Sequence, residues 1–158
     1  MIFRKVAVIY SLLLVSGSFA YAESTESDSH HEYHPNMVGV FVGGTSQQRR
    51  QKGLALGVEY ERRLNKSFGI GALAERTFGD LDFWVVAFPF AYHTGPWKFY
   101  VGPGWEIEDR EDDNEFLVRL GGEYGFEVGS LEIAPQVDVD FVDGNAVLVC
   151  GITFARGF

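Results

Sequence analysis

The feature that most constrains the fold is an alternation of side-chain type with a period of two residues. Within runs of about ten residues, large apolar side chains take every second position, and small or polar side chains take the positions between them. This period places the two sets on opposite faces of a β-strand, because successive side chains of a strand point to opposite sides. We identify eight runs bounded by turn residues: 36–45, 53–63, 67–78, 83–93, 97–108, 115–127, 131–142 and 146–158.

The two faces of a run differ sharply in chemistry. In the fifth run one face carries Trp97, Phe99, Val101 and Trp105, and the other carries Lys98, Tyr100, Gly102, Gly104 and Glu106. Eight such runs predict an all-β fold, an eight-stranded antiparallel up-and-down β-barrel. Three prolines, Pro89, Pro103 and Pro135, fall inside proposed strands, where proline cannot donate a ladder hydrogen bond. We interpret them as bulges or as displaced strand ends.

The first 22 residues have the pattern of a cleaved signal peptide. Arg4 and Lys5 precede a short apolar run, and the segment closes on Ala20-Tyr21-Ala22, an A-x-A cleavage site. The apolar run is shorter than the roughly 20 residues that a transmembrane helix needs. Residues 23–35 are polar, without an apolar period, and predict a flexible tail. The barrel domain is therefore expected over residues 36–158.

Charge and cysteine content exclude several classes of partner and of structure. The full sequence has a formal net charge of −9, and cleavage after Ala22 would remove two basic residues and no acidic one. This charge disfavours nucleic acid and anionic lipid surfaces as electrostatic partners. Cys150 is the one cysteine, so no intramolecular disulfide can form. Because no other stretch is apolar enough to span as a helix, a membrane form must be a closed barrel.

Three features favour the barrel orientation in which the apolar face points outward into lipid. The polar face is rich in glycine, which suits a crowded eight-stranded lumen better than a solvated outer face. Aromatic residues bracket the apolar face: Trp84 and Tyr92 in the fourth run, Trp97 and Trp105 in the fifth. Eight tilted residues span about 20 Å, close to the roughly 25 Å apolar band of such barrels. The sequence also ends a strand on an aromatic residue, Phe158.

The connections between runs also alternate in character. If the N-terminus lies in the periplasm, the second, fourth and sixth connections are periplasmic, and these are the short segments 64–66, 94–96 and 128–130. The first, third and fifth are the polar stretches 46–52, 79–82 and 109–114. Short turns on one side and longer loops on the other are typical of outer-membrane barrels.

With its signal peptide, eight runs and terminal strand, the sequence resembles the small Gram-negative outer-membrane barrels such as OmpX and the OmpA transmembrane domain. The resemblance covers residues 36–158. It implies localisation in the outer membrane, contact with outer-membrane lipid and lipopolysaccharide, and insertion by the barrel-assembly machinery. Ile152, Phe154 and Phe158 match the terminal signal that this machinery reads in that family, whereas Arg156 stands where an apolar residue is usual. An arginine there can snorkel to headgroups at the periplasmic rim.

The polar face carries the residues of the candidate site, which is a network of charged side chains in the lumen. Its members are Glu59, Glu61, Glu75, Lys98, Glu106, Arg119, Glu123, Glu132, Asp138 and Asp140. Charges in a narrow barrel must be paired or hydrated. One interpretation is a static plug of ion pairs, which the narrow bore of eight strands favours. The other is a gated, cation-preferring conduit centred on Lys98 and Arg119.

Other residues carry weaker signals. His30, His31 and His34 could hold a transition metal, but a solvated spacer explains them better, since a metal site needs fixed geometry. Cys150 shares a face with Leu148 and Ile152 and is expected to be a small lipid-facing residue. His93 lacks the His-x-Ser spacing of a lipid A deacylase, a known activity of some eight-stranded barrels.

We therefore expect a monomeric, non-catalytic outer-membrane barrel without cofactors, with a structural, envelope-maintenance or surface-interaction role and a plugged lumen. A soluble periplasmic barrel that binds a small apolar ligand is the first alternative. A lipid A-modifying enzyme is the second.

Overall fold

A computed structural model of the chain describes residues 34–47, 51–108 and 114–158. The predicted signal peptide, most of the predicted tail, and His30 and His31 lie outside the described residues. Among those described, there is no helix with the length and apolar character needed to cross a membrane.

Ten β-strands correspond to the eight predicted runs. They are β1 (Asn36–Gln47), β2 (Gln51–Arg63), β3 (Phe68–Gly79), β4 (Phe83–Ala87), β5 (Phe90–Thr94), β6 (Trp97–Glu108), β7 (Asn114–Tyr124), β8 (Phe126–Val128), β9 (Leu131–Val142) and β10 (Asn145–Gly157). The fifth and seventh runs match β6 and β9 to the residue. The fourth run is divided into β4 and β5, and the sixth into β7 and β8.

The strands close into an antiparallel barrel. Each span pairs with the span before and after it in the sequence, and β10 pairs with both β9 and β1. The closing register sets Met37 opposite Gly157 and Gln47 opposite Val147. The predicted fold class, a closed eight-stranded antiparallel barrel, is confirmed.

The divided spans keep their direction and their alternation of faces. Pro89 lies between β4 and β5, and its carbonyl accepts a hydrogen bond from the Gly71 amide at 2.8 Å. Gly125 lies between β7 and β8 and donates its amide to the Pro96 carbonyl, also at 2.8 Å. Side chains continue to point alternately in and out across both interruptions. Each pair of strands therefore acts as one span of the barrel.

The other two prolines are accommodated without an inserted residue, so the bulges or strand ends considered for them are absent. Pro103 stands opposite Val118 inside β6, and Pro135 stands opposite Ile152 inside β9. The Pro103 carbonyl still accepts a hydrogen bond from the Phe88 amide at 2.9 Å.

The connections give the barrel two different ends. At one, the turn end, the connections are residues 64–67, 95–96 and 129–130. At the other, the loop end, β1 ends and β2 begins, β6 ends and β7 begins, and residues 80–82 and 143–144 are the connections among the described residues. Asp143 and Gly144 both have positive φ, the geometry of a tight type I′ hairpin turn, and Gly144 takes that conformation without a side-chain clash.

The distribution of apolar residues is inverted relative to a water-soluble barrel. Val58 and Phe116 on the outer face are 58% and 57% exposed, whereas Arg119 and Asp138 inside are 1% and 0% exposed. Large apolar side chains are exposed on the outer surface of all eight spans. Because water would penalise this surface and lipid would not, the fold is that of a transmembrane β-barrel.

Aromatic side chains concentrate at both ends of the outer face. At the turn end the Phe68 and Tyr92 rings lie 5.5 Å apart, and the Trp97 and Tyr124 rings meet edge to face at 4.9 Å. At the loop end the Trp105 and Phe116 rings lie 6.0 Å apart. Two such bands are the aromatic girdles that anchor a barrel at the two membrane interfaces.

Candidate functional site: the barrel lumen

The lumen is filled in three successive layers from the loop end to the turn end. The first is apolar and we call it the lid. The second is built around Arg119 and the third around Lys98. Each layer draws its side chains from several strands, because inward positions of neighbouring strands meet at the same height in a barrel.

The lid is formed by large inward-facing apolar residues on β4, β7 and β9, near their loop ends, and in the connection that precedes β4. Its members are Leu81, Phe83, Val85, Leu117 and Val142, all at most 6% exposed, with Leu73 packed against them. Phe41, Ala55 and Val149 form a second buried cluster across the lumen. The alternation of the runs predicts a polar inner face and therefore does not predict this layer. The signal was present as apolar residues in inward phase at the strand ends.

The Arg119 cluster consists of Arg119, Glu75 and Asp140, and it is almost completely buried. The guanidinium binds Asp140 with two parallel hydrogen bonds, from Nε to Oδ1 and from Nη2 to Oδ2, each 2.7 Å long. Its Nη1 donates to Glu75 Oε2 at 3.1 Å. This fork geometry suits arginine, whose planar group matches a carboxylate at two points.

A separate chain of hydrogen bonds runs from Tyr100 on β6 through β9 to β10. Asp138 accepts a hydrogen bond from the Tyr100 hydroxyl and a second, of 3.0 Å, from Gln136 Nε2. Gln136 in turn accepts one from the Thr153 hydroxyl at 2.8 Å. Such continuous pairing is what makes buried polar groups tolerable in a low-dielectric interior.

The Lys98 cluster lies near the turn end and consists of Lys98, Glu61, Glu123, His93 and Arg63. Lys98 Nζ contacts Glu123 Oε1 at 2.7 Å and Glu61 Oε2 at 3.3 Å. His93 Nε2 lies 2.6 Å from Glu61 Oε1, and its Nδ1 lies 3.1 Å from Arg63 Nη2. The arginine must donate, so Nδ1 accepts and Nε2 donates to the glutamate.

Beside this cluster a small part of the lumen is not occupied by side chains. A small cavity of about 30 Å³, room for a water-sized group, is lined by Glu59, Glu61, Glu123 and Glu132, and by apolar residues that include Leu73, Ala91 and Ala155. A second space of about 40 Å³ shares Met37, Lys98, Glu123 and Glu132 with it and reaches the turn residues Gly95 and Pro96. The two spaces therefore lead from the turn end of the barrel toward the Arg119 layer.

Glycines of the inner face make room for the acidic side chains. A Cβ atom on Gly39 would lie 2.9 Å from Cγ of Glu59, the residue opposite it in the register. A Cβ on Gly121 would meet the Asp138 carboxylate and the Tyr100 ring, and one on Gly125 would lie 2.9 Å from the Glu132 carboxyl carbon. Each of these acids thus folds over a glycine, in keeping with the crowded lumen that the sequence predicts.

The predicted charge network is divided between the layers. Glu75, Arg119 and Asp140 meet in one cluster, while Lys98, Glu61 and Glu123 meet in another. Asp138 lies in a separate hydrogen-bonded chain with Tyr100 and Gln136, and Glu59 and Glu132 line the cavity. Glu106 lies at the loop end, beside a solvent-open hollow that also includes Asp80, Asp82, Glu108 and Glu115.

The weaker candidates are placed apart from the lumen network. His34 lies at the turn end, where a Cβ on Gly157 would meet its ring. Within the described residues, no group of three or more His, Cys, Asp or Glu side chains has the arrangement of a metal site. Cys150 is exposed on the outer face with Leu148 and Ile152, as its phase predicts. Phe154 and Phe158 are exposed on that face too.

The fold and its two-sided chemistry define this chain as a protein of the transmembrane β-barrel class. The comparison with solved structures agrees with this class. The N-terminal β-barrel domain of Pseudomonas aeruginosa OprF has a TM-score of 0.56 at 14% identity and covers 80% of this chain and 100% of its own. A de novo designed transmembrane β-barrel has a TM-score of 0.56 at 13% identity, with coverages of 78% and 98%.

The attachment invasion locus protein Ail of Yersinia pestis is similar as well. Its TM-score is 0.53 at 12% identity, with coverages of 78% of this chain and 96% of that one. Ail has also been solved in complex with the heparin analogue sucrose octasulfate. No protein-family model and no curated protein matches the sequence. At these identities, the likeness is one of fold: a small outer-membrane type of eight-stranded barrel.

Proposed function

We propose that this chain is an integral outer-membrane barrel with a non-catalytic role in the structure of the cell envelope, its lumen closed by buried side chains. The observation that carries the proposal is the inverted distribution of polarity, with apolar residues exposed around all spans and charges buried inside. A soluble barrel that binds an apolar ligand would need the reverse arrangement. That alternative is therefore disfavoured.

The orientation proposed in the membrane follows from the two ends. The turn end, with its short connections, faces the periplasm, and the loop end faces the exterior. Arg156 is exposed on the outer face near the turn end, opposite Val38. In this orientation its guanidinium reaches the headgroups of the inner leaflet, which accounts for a basic residue so close to the terminal aromatic.

The closed lumen is proposed from two independent barriers. The lid removes water from the loop end, and an apolar constriction opposes ions because it cannot replace their hydration. Behind it, the Arg119 cluster ties β3, β7 and β9 together across the bore. An ion would have to break buried charge pairs to pass this layer.

The surroundings of His93 support a non-catalytic role. Its Nε2 contacts Glu61 and its Nδ1 contacts Arg63, so both ring nitrogens are occupied by charged side chains. A general base for hydrolysis would instead need one ring nitrogen within hydrogen-bond reach of a nucleophile.

Surface interaction, if it occurs, would select partners unlike a sulfated sugar. The loop end carries Asp80, Asp82, Glu106, Glu108 and Glu115 around one hollow. These carboxylates repel polyanions such as the heparin analogue that Ail binds. We therefore propose a partner that is neutral or cationic, for any contact made at this end.

Assembly partners are proposed from the last strand. Ile152, Phe154 and Phe158 lie outward on β10 or directly after it, in the pattern that the barrel-assembly machinery reads in small outer-membrane barrels. The mature barrel is proposed to be a monomer surrounded by phospholipid and lipopolysaccharide.

Envelope fractionation tests the membrane assignment. The chain would be expressed with residues 1–22 in a Gram-negative host, and outer-membrane fractions run on SDS gels with and without boiling. We expect a band in that fraction whose mobility changes on boiling, because closed barrels resist SDS until heated. A soluble periplasmic band would overturn the proposal and redirect attention to an interior ligand.

Planar bilayer recordings test the closed lumen. Purified barrel inserted into a bilayer should give no steady ion conductance. Leu117→Ser together with Arg119→Ser, which opens the lid and removes the charge at the layer below, should give measurable conductance. Steady conductance of the unmodified barrel would contradict a closed lumen while leaving the membrane assignment intact. Inserted double-variant barrels that remained silent would contradict the two barriers assigned here.

A further inference from the structure

The loop end of the barrel carries a hollow that is large enough for a small organic molecule. Its volume is about 370 Å³, and small-molecule sites commonly have about 300–1,000 Å³. Two residues of the lid, Leu81 and Phe83, line it together with several acidic side chains. A molecule in this hollow would rest on the lid, so the closed part of the lumen need not open to admit it.

The loop-end hollow gathers negative charge without a matching cation. Five carboxylates line it, those of Asp80, Asp82, Glu106, Glu108 and Glu115, and among the described residues no basic side chain lines it. Asp82 is paired with Arg76, whereas the other four carboxylates have no ion pair within the ranges that the structure describes. Like charges held together in this way repel one another, and a cation from solution would relieve the repulsion.

Glu106 distinguishes this hollow from an ordinary solvated acidic surface. It points inward from β6 and is only 8% exposed, yet it lines the hollow. Its side chain makes no hydrogen bond or ion pair in the described part of the chain. The charged side chains that act on it most strongly, Glu115, Glu108 and Asp140, are all negative. A carboxylate so buried is costly without a donor, which favours a donor supplied from outside the protein.

We propose that the loop-end hollow binds a small organic cation with a planar head, an amidine or a guanidine. The head donates to Glu106 and also reaches Glu115, which stands directly opposite Glu106 in the register of β6 and β7. Side chains opposed in this way have Cβ atoms about 4.5–5.5 Å apart, so one flat cation can contact both carboxylates. The apolar part of the ligand lies against Leu81 and Phe83.

This inference rests on the proposed function, which turns the loop end to the exterior and selects a neutral or cationic partner there. It names the chemical class of that partner. An organic cation also suits the hollow better than a metal ion does, since no group of side chains among the described residues has the arrangement of a metal site. Leu81 and Phe83 offer no ligand atoms to a hydrated metal ion, whereas they can pack against an aromatic ring.

The probe for the experiment is benzamidinium, with benzamide as a neutral analogue of nearly the same shape. The chain would be expressed with residues 1–22, purified in zwitterionic detergent, and titrated at fixed ionic strength while leucine methyl resonances are followed by NMR. Leu81 lines the hollow, and Leu64 at the turn end is the internal reference. We expect saturable shifts at Leu81 and none at Leu64, with at least tenfold weaker binding of benzamide, because its neutral head forms no charge-assisted hydrogen bond.

Two variants locate the site. Glu106→Gln should weaken benzamidinium binding about tenfold, since it removes the charge of the anchoring carboxylate. Glu115→Gln should weaken it about threefold, because Glu115 is exposed and its charge is screened, and this variant keeps the test possible if Glu106→Gln does not fold. Glu132→Gln beside the turn-end cavity changes the net charge equally and is the matched control, which should bind as the unmodified protein does.

Each outcome decides the proposal. Binding that is weakened in the hollow variants and kept in Glu132→Gln supports it. Equal binding of benzamidinium and benzamide, unchanged binding in both hollow variants, or equal weakening by Glu132→Gln would overturn it. Absence of shifts at Leu81 would mean that water or another part of the chain already satisfies Glu106, and would overturn it too. The membrane assignment would stand in all these cases, because envelope fractionation tests it separately.

Discussion

The Arg119 cluster and the Lys98 cluster use the same kinds of side chain in two different ways. Arg119 binds Asp140 through two parallel bonds and Glu75 through a third, with 1% of its surface exposed. Lys98 shares its point charge between Glu123 and Glu61 beside an open cavity. The planar guanidinium fixes its two partners in one geometry across the bore, whereas the lysine point charge, shared between two carboxylates beside a small cavity, constrains its partners less.

The largest expected effect on the free energy of unfolding comes from removing the cation of the Arg119 cluster. Arg119→Met leaves Glu75 and Asp140 buried without their partner, and breaking a buried pair in this way costs about 3–5 kcal/mol. Unfolding by urea in lipid vesicles, followed by tryptophan fluorescence, would measure it. Arg62→Met, at an exposed position on the outer face, is the matched control and should change stability by less than about 0.5 kcal/mol. Equal losses in the two variants would remove the structural role assigned to the Arg119 cluster.

Removing the cation of the Lys98 cluster should lower the free energy of unfolding by less. Lys98→Met leaves Glu61 in contact with His93, and water in the adjacent cavity can hydrate Glu123. We expect a loss of about 1–3 kcal/mol in the same urea experiment. A loss as large as that of Arg119→Met would show that the cavity does not relieve the charge, and the contrast between the clusters would fail.

Two glycine substitutions compare how tightly side chains are packed near the Arg119 cluster and beside the cavity. Gly121→Ala places a methyl group 2.5 Å from the Tyr100 ring and against Asp138, both buried, and overpacking there should cost about 1–3 kcal/mol. Gly125→Ala meets the carboxyl end of Glu132, which can turn into the cavity, so its cost should be below about 1 kcal/mol. Similar melting temperatures for the two variants would contradict the difference in freedom between the layers.

The smallest expected effect on stability concerns the hydroxyl pair of Thr45 and Thr77, near the loop end beside the lid. Thr45 and Thr77 share a hydrogen bond of 3.3 Å between buried side chains. Thr77→Val leaves one hydroxyl without its partner and should cost about 1 kcal/mol. The double change of Thr45 and Thr77 to valine should restore part of that loss, because no polar group is then left unpaired. A double variant less stable than the sum of its single changes would contradict this interpretation.

The strands could be predicted from the sequence because alternation is a local property. The run 97–108 agrees with β6 and 131–142 with β9 to the residue, and the outward face of each run is assigned correctly. The divided fourth span was harder to predict, since Pro89 interrupts the ladder without disturbing the alternation that defined the run.

Which of the inward charged side chains contact one another could not be predicted from the alternation. Which inward side chains meet depends on the shear between strands, and a two-residue shift keeps every side chain on its face while changing its height. Lys98 and Arg119 therefore look equivalent in the sequence, although Lys98 pairs near the turn end and Arg119 in the middle of the lumen. The lid could not be predicted for a related reason. The phase of Leu117 in its run shows that the side chain points inward, but not that it packs against Val85 and Val142.

The glycines beneath the luminal acids carry a consequence for how such a barrel can evolve. Gly39 with Glu59 and Gly121 with Asp138 face each other across neighbouring strands, each glycine yielding the volume that the acid occupies. A larger residue at either glycine becomes acceptable when the acid opposite it is shortened and the second neighbour, Thr153 for Gly39 and Tyr100 for Gly121, also gives way. Among homologues the two positions of each pair are thus expected to vary together, so that lineages exchange lumen chemistry by paired substitutions between strands rather than by single ones.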